Sequence, residues 1–239
     1  MDEKQKIVEL NQQESGQERD KEARPKRREE LVVKGKTPFT FEGKTYHELD
    51  LSGLEALTIQ AAVDAQLELM GQQEEAAMLL AETTTAFSLA LAAKATGKPI
   101  ELFKLLPIGW AKRVVNTVRG YMNGEAAEGH RMKLDTPYEY EGETYSEIDL
   151  SGVADLNAMH LSEAENRMTK AGFLVTENSF NFLYACIIGG MEVKKPEAFF
   201  LGLPLRELLK LKAAVNDADF FAKRAGRRSC AGPPSGCPP

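Results

Sequence analysis

The sequence predicts an α+β, mostly helical fold in which one module, a β-hairpin followed by about three helices, occurs twice in tandem. Residues 37–57 and 136–156 carry the main repeat, with twelve of 21 positions identical at a constant offset of 99. A weaker repeat follows at an offset of 97. In each copy, alternating apolar residues typical of strands precede the wider apolar spacing of helices. Chance does not produce this agreement, so we interpret the chain as a duplication.

Length and composition are ordinary for one or two soluble domains. The chain has 239 residues, a net charge of -6, 43% hydrophobic residues and 28% charged residues. The first residues lack the apolar region of a secretory signal. The richest apolar stretch, 86–95, is too short to span a bilayer. We therefore expect a cytoplasmic protein.

The predicted organisation has five parts. Residues 1–32 are polar and charged, and we expect them to be disordered or loosely helical because they have little apolar surface to bury. Residues 33–122 form the first hairpin-plus-helices module, 123–135 an exposed linker, and 136–221 the second hairpin-plus-helices module. Residues 222–239 are a Gly- and Pro-rich tail that we expect to be disordered.

Each module opens with a predicted hairpin. In the first copy, Phe39 and Phe41 alternate with polar residues, a short turn follows at Gly43, and a second strand runs to Leu51. The second copy repeats this pattern 99 residues later. Because an isolated two-stranded hairpin is only marginally stable, it must pack against the helices.

The first helix of each module is predicted to begin near Thr58 or Asn157, which are both suitable N-cap residues. Its expected apolar face in the first copy comprises Ile59, Val63, Leu67 and Met70. The change of offset implies a two-residue deletion, which we place in the loop around residues 71–73.

A second helix is predicted over about 73–95 and 177–191, each ending before a Lys-Pro pair. A short turn with Phe103 or Phe200 follows. The last helix starts at Pro107 or Pro204, because Pro is tolerated in a first turn. Its expected buried residues in the first copy are Ile108, Ala111, Val115, Val118 and Met122.

Motifs that carry chemistry are scarce. Neither a P-loop nor a dinucleotide-binding glycine motif occurs, and His47, His130 and His160 do not recur between the copies. The strand acids ending at Asp50 and Asp149 recur, but we expect them to keep the hairpin soluble. The cysteines Cys186, Cys230 and Cys237 match no disulfide framework or common zinc spacing. We predict no catalytic residue, no cofactor, no metal ligand and no enzymatic activity.

The copies share apolar and aromatic positions instead. We expect most of these aromatics to be core residues, and the rest to line a groove for a partner; the sequence does not separate the two classes. The candidate core or partner-binding aromatics are Phe39, Phe41, Tyr46, Phe103, Trp110, Tyr138, Tyr140, Tyr145, Phe199 and Phe200.

The shared motif is an aromatic strand, a turn followed by Thr-Tyr, a Lys-Pro pair, a Phe and a Leu-Pro pair. Its residues are Phe39 to Leu51, Lys98-Pro99, Phe103 and Leu106-Pro107, then Tyr138 to Leu150, Lys195-Pro196, Phe200 and Leu203-Pro204. This pattern resembles the tail assembly chaperones of Mu-like and related long-tailed phages and prophages. The resemblance covers about 37–122 and 136–221, and the duplication departs from the single-module form of that family.

The resemblance implies a non-enzymatic protein of the host bacterial cytoplasm. Such chaperones bind the long, helical tape measure protein, keep it soluble, help recruit tail tube subunits, and are absent from the mature virion. Two linked copies could hold one long client at two points. A membrane partner is not expected, nucleic acid is disfavoured by the net charge, and self-association is an option.

Two other classes remain open. Tandem modules also suit a virion structural protein such as a tail terminator or connector, because ring-forming proteins use repeated units. The basic runs at 24–28 and 223–228 would suit a nucleic-acid-binding regulator, although an overall acidic chain weakens that signal.

Overall fold

A computed structural model describes residues 30–72, 80–123, 130–174 and 181–216. The chain divides into two compact units, Met1–Met122 and Asn123–Pro239, which we call the first and the second module. Each contains one antiparallel two-stranded sheet followed by helices. The prediction of a mostly helical α+β fold with two hairpin-plus-helices modules is confirmed.

The two modules have nearly the same order of elements. The first contains β1 (Val32–Phe41), β2 (Lys44–Asp50), a 3-10 turn (Ser52–Ala56), α1 (Ile59–Gly71), a 3-10 turn (Ala81–Thr83), α2 (Thr85–Thr96), α3 (Ile100–Lys104) and α4 (Ile108–Met122). The second contains β3 (Arg131–Tyr140), β4 (Glu143–Asp149), a 3-10 turn (Ser151–Asp155), α5 (Ala158–Lys170), α6 (Phe182–Val193), α7 (Glu197–Leu201), a 3-10 turn (Leu205–Glu207) and α8 (Leu208–Val215).

Both hairpins close through a two-residue turn in the left-handed conformation. The central residues are Glu42 and Gly43, with φ of 47° and 75°, and Glu141 and Gly142, with φ of 50° and 83°. A turn with positive φ at both positions matches the twist of the flanking strands. Gly adopts this conformation without steric cost, which explains why the Glu-Gly pair recurs.

A bulge interrupts each ladder at the same place. In the first module the pairing moves from Lys34 with Glu48 directly to Phe39 with Tyr46. Residues 35–38 therefore face only His47, so β2 cannot pair with all of their backbone groups. Side chains of α4 bind this strand instead: the indole N–H of Trp110 donates to the Thr37 carbonyl at 2.9 Å, and Arg113 donates to the Lys34 carbonyl.

Close packing between Trp110 and the bulge requires glycine at position 35. A Cβ atom on Gly35 would lie 1.9 Å from the nearest carbon of the Trp110 ring. Trp110 is 3% exposed, so the ring has no room to move aside. The glycine therefore allows the backbone of β1 to rest directly on the indole.

The second module has the same bulge but a different contact. Glu207, at the position equivalent to Trp110, is 1% exposed, and its carboxylate accepts the Asp135 N–H at 3.0 Å. Lys210 lies 3.0 Å from Glu207 and 2.5 Å from Asp135, and it donates to the Lys133 carbonyl at 3.1 Å. Arg206 pairs with Asp135 at 2.6 Å. In the second module, two acidic and two basic side chains thus take the place of the single indole ring of the first module.

The mutual pairing keeps Lys210 charged. Burial opposes its charge, but hydrogen bonds to Asp135 and Glu207 outweigh that effect and hold the pKa of Lys210 above its ordinary value. A folded-state pKa above the unfolded value contributes stability at pH values below the unfolded pKa, and this contribution is lost as pH rises through the folded pKa. The contribution of Lys210 to the cluster is therefore lost only at strongly alkaline pH.

Caps define the second helix of each module. The Thr84 hydroxyl accepts the Phe87 N–H at 3.2 Å, and the Asn181 side chain accepts the N–H groups of Leu183 and Tyr184 at 2.8 and 3.2 Å.

The predicted starts at residues 73 and 177 are corrected accordingly. Residues 80–84 form a 3-10 turn and a cap, while 73–79 and 175–180 lie outside the described residues. The predicted ends before Lys-Pro are confirmed.

Both modules begin earlier in the chain than predicted. The Leu31 carbonyl accepts the Leu51 N–H at 3.0 Å, and the His130 carbonyl accepts the Leu150 N–H at 2.9 Å. The start at 33 is therefore moved to about 31, and residues 131–135 belong to β3 rather than to a linker. Charged residues hid the start of β3, because the exposed Arg131 and Lys133 alternate with the buried Met132. Residues 1–29 and 217–239 lie outside the described residues.

Two predicted helix faces need correction. The two steps of four residues from Ile59 to Leu67 drift by about 40° each around an α-helix, so Leu67 is half-buried. Met70 is also half-buried, while Leu69 is 4% exposed. The buried residues of α1 are Ile59, Ala62, Val63, Ala65, Gln66 and Leu69.

Ile108 is 75% exposed, because it lies in the first turn of α4, at the edge of its buried face. The core residues of α4 are Trp110, Val114, Val115, Val118, Tyr121 and Met122.

We expect Gly35→Ala to lower the free energy of unfolding of the first module by about 3 kcal/mol, because the new methyl group overlaps the Trp110 ring. Gly120→Ala is the matched control. Its Cβ would meet nothing within 4 Å, so better helix propensity should raise stability by about 0.5–1 kcal/mol. Urea unfolding followed by the fluorescence of Trp110, the single tryptophan, measures both. Equal stabilities would contradict the packing argument.

We expect Glu207→Ala to destabilise the second module by about 3–5 kcal/mol, because Lys210 would be left buried with fewer partners. Glu147→Ala removes an exposed pair with Arg131 at 3.8 Å and should cost about 0–1 kcal/mol. Thiol labelling of buried Cys186 during urea unfolding, in a Cys230→Ser, Cys237→Ser background, reports on this module. A small loss in Glu207→Ala would show that the cluster contributes little.

Candidate partner-binding surface

Five of the candidate aromatics form one cluster in the second module. The Phe199 ring lies 5.5, 5.1, 4.9 and 5.0 Å from the rings of Tyr138, Tyr140, Tyr145 and Phe200, each in an edge-on arrangement. Phe199 and Phe200 are 1% and 0% exposed. Edge-to-face contacts of this kind stabilise beyond simple burial. The cluster attaches the hairpin to α7.

Two neighbouring positions at the edge of this cluster differ together between the modules. The hydroxyl of Tyr138 lies 2.4 Å from where a Cβ on Gly202 would be, so a larger residue there would collide with it. The equivalent residues of the first module are Phe39, which has no hydroxyl, and Leu105. The second module thus combines the larger Tyr138 with a glycine at the facing position, whereas the first combines the smaller Phe39 with a leucine.

The repeated Lys-Pro pair has a structural role. The Lys98 ammonium lies 5.6 Å from the centre of the Tyr46 ring, and the Lys195 ammonium lies 5.6 Å from the centre of the Tyr145 ring. Both distances fit a cation–π contact. The Pro of each pair follows the left-handed C-cap of the helix and precedes the next one. The motif thus joins the hairpin to the helices.

The ten candidate aromatics fall into two burial classes. Phe103, Trp110, Phe199 and Phe200 are buried. The six aromatics of the hairpins, which are half-buried, are Phe39, Phe41, Tyr46, Tyr138, Tyr140 and Tyr145. The hairpin rings thus pack on the module with one side and expose the other.

The polar residues considered for chemistry make local structural contacts. The carboxylates of Asp50 and Asp149 accept the N–H groups of Ser52 and Ser151 at 2.8 and 2.9 Å, and each bond starts a 3-10 turn. The hydrogen bond from the backbone of Ser151 holds the pKa of Asp149 below its usual value. His160 accepts the N–H of its N-cap, Asn157, at 3.2 Å and completes a capping box.

The first module also has a groove that the candidate aromatics do not line. It lies between α1, α2 and α3, with a volume of about 600 Å³, which is within the range of ligand sites. Its apolar floor consists of Leu69, Ala86, Leu89, Ala90, Ala93 and Ile100. Its polar rim consists of Glu68, Gln72, Thr84, Thr85, Lys94 and Lys104.

The rim is held by two polar contacts and carries a positive excess. Lys94 pairs with Glu68 at 2.7 Å, and Lys104 donates to the neutral amide of Gln72 at 3.4 Å. The three ionisable lining residues are thus one acid and two bases. An acidic group beside the apolar floor would therefore find a cation at the rim.

None of the ten candidate aromatics lines this groove. Its shape comes from alanines on one face of α2, whose short side chains leave space between the helices. One feature of the sequence does point to the groove. At the offset of 97, Ala86 and Ala90 correspond to Leu183 and Ile187, so the second copy has larger side chains at these two positions.

Exposed apolar residues also differ between the modules. In the first module Leu105 and Ile108 are 64% and 75% exposed. Leu205, the equivalent of Ile108, is fully buried in the second module. The second module instead exposes Met159 on α5, at 80%. The modules therefore present different apolar surfaces on a similar scaffold.

Comparisons with protein-family models, with curated proteins and with solved structures find no match to this chain. Across residues 30–72, 80–123, 130–174 and 181–216, no helix is long and apolar enough to cross a membrane. Within the same ranges, no three His, Cys, Asp or Glu side chains are grouped so as to hold a metal ion. The interpretation of function therefore rests on the repeated motif and the geometry of the two modules.

We expect Phe199→Ala to destabilise the second module by about 3–5 kcal/mol, because it removes the ring that contacts four others. Ile108→Ser, which changes an exposed residue, should alter stability of the first module by no more than about 0.5 kcal/mol. Urea unfolding with the Cys186 and Trp110 probes measures each module. A large loss in Ile108→Ser would mean that this side chain is covered in solution.

Proposed function

We propose that this chain is a non-enzymatic tail assembly chaperone of a long-tailed phage or prophage. It binds the tape measure protein in the host cytoplasm, keeps it soluble and helps recruit tail tube subunits, and it is not retained in the mature virion. The resemblance of the repeated motif to that family is the basis of the proposal.

The structural observation that supports the proposal most directly is the apolar groove of the first module. A chaperone for a long helical protein needs a concave apolar surface, because an amphipathic helix buries its apolar stripe in such grooves. A floor of six apolar residues framed by polar ones meets this requirement. The exposed Leu105 and Ile108 add apolar surface to the same module.

The pattern of what the duplication retains also supports a binding role. The shared positions are turn glycines, capping residues, prolines and packed aromatics, and the contacts of Asp50, Asp149 and His160 are local ones. Function then lies in surfaces on the scaffold rather than in a set of reactive groups. A net charge of -6 favours solubility of a chaperone that exposes apolar residues.

We expect co-expression with the tape measure protein of the same phage to raise the soluble fraction of that protein several-fold, because the chaperone covers its apolar segments. The two proteins should co-purify on an affinity tag carried by the chaperone. An unrelated aggregation-prone helical protein serves as the control client and should not be rescued.

Unchanged solubility without co-purification would contradict the proposal. Mass spectrometry of purified particles separates it from the structural alternative. A chaperone is lost from finished tails, whereas a tail terminator or connector is present at a fixed copy number.

A further inference from the structure

The two modules differ in size at the floor of the groove. Ala86 and Ala90 of α2 correspond to Leu183 and Ile187 of α6, which are 6% and 1% exposed. The larger side chains are thus already covered by their own module. Two positions change in the opposite direction, because Cys186 and Gly190 are smaller than Leu89 and Ala93, but the two larger residues outweigh them.

The mouth of the groove also differs between the modules. In the second module Arg167 of α5 pairs with Glu197 of α7 at 3.5 Å, which ties together the helices equivalent to α1 and α3. The first module has Glu68 and Ile100 at these positions, and an isoleucine cannot pair with a carboxylate. Glu68 instead pairs with Lys94 on α2 at 2.7 Å. The side between α1 and α3 therefore lacks this bridge in the first module.

We propose that the groove of the first module is the binding site for an amphipathic helix of the tape measure protein, and that the second module does not offer this site. This inference rests on the function proposed above. The two copies are then unequal: the first holds the client, and the second keeps the fold without that surface.

The chemistry of the groove defines the segment that fits. The alanines of α2 let a second helix approach closely, so apolar side chains spaced three and four residues apart can fill the volume of about 600 Å³. The rim carries two bases and one acid, and Lys104 hydrogen-bonds a neutral amide. The bound helix therefore carries an acidic residue beside its apolar stripe, where Lys104 reaches it.

The decisive variant gives the first module the side chains that the second already has: Ala86→Leu with Ala90→Ile. We expect the amount of tape measure protein that co-purifies with the full chain to fall about tenfold, because the anchor pockets are filled. Ala213→Leu, which enlarges an exposed alanine of α8, is the matched control and should co-purify the client like the wild type.

A charge test uses the rim. Lys104→Glu should reduce co-purification several-fold, because the acidic flank of the client would be repelled. Lys112→Glu makes the same change at an exposed position of α4 that does not line the groove, and it should have little effect. Equal effects of the two variants would show that only net charge matters, which overturns the specific role of Lys104.

Thermal unfolding separates the remaining outcomes. An unchanged or higher Tm for Ala86→Leu with Ala90→Ile, together with lost binding, supports an open groove that holds the client. A Tm lower by several degrees means that residues of the chain itself occupy the groove, which overturns the inference. Undiminished binding overturns the groove as the site but leaves the chaperone role intact, whereas a wild-type chain that never binds the client overturns both.

Discussion

The bulge in each hairpin is the constraint on which the rest of a module depends. A two-stranded sheet is marginal by itself, and the pairing jump after Lys34 or Lys133 leaves backbone groups without partners on the opposite strand. Such groups must be satisfied elsewhere once they are covered. The last helical segment of each module does this, so the first and last elements of each module are tied together.

The two modules meet this constraint with different chemistry. In the first, Trp110 lies on Gly35 and donates to the Thr37 carbonyl. In the second, Glu207 and Lys210 contact the equivalent strand through a buried ion cluster. A buried ion pair is costly to break but not necessarily more stabilising than an apolar contact. Both modules have therefore kept the bulge in the backbone. The side chains that contact it differ as a group between the modules.

The same separation between scaffold and side chains explains how the copies can differ in function. Caps, left-handed turns and the Lys–Tyr contacts recur, and they position α2 and α6 alike. The face of α2 that borders the groove, and the equivalent face of α6, are free to vary, because neither cap nor turn depends on them. Alanines there leave a groove in the first module, and larger residues with the Arg167–Glu197 pair cover the same face in the second.

The sequence by itself determined the local signals: the hairpins, the Glu-Gly turns, the helix starts after Thr58 and Asn157 and the helix ends before Lys-Pro. These depend on backbone preferences of a few neighbouring residues, which repeat in both copies. Only the tertiary structure decided where β1 and β3 begin, that Ile108 is exposed, that Glu207 is buried, and that α2 borders a groove. Each of these depends on which distant residue covers a side chain. An alanine in particular marks either a tight contact or an empty space, and only the surrounding helices distinguish the two.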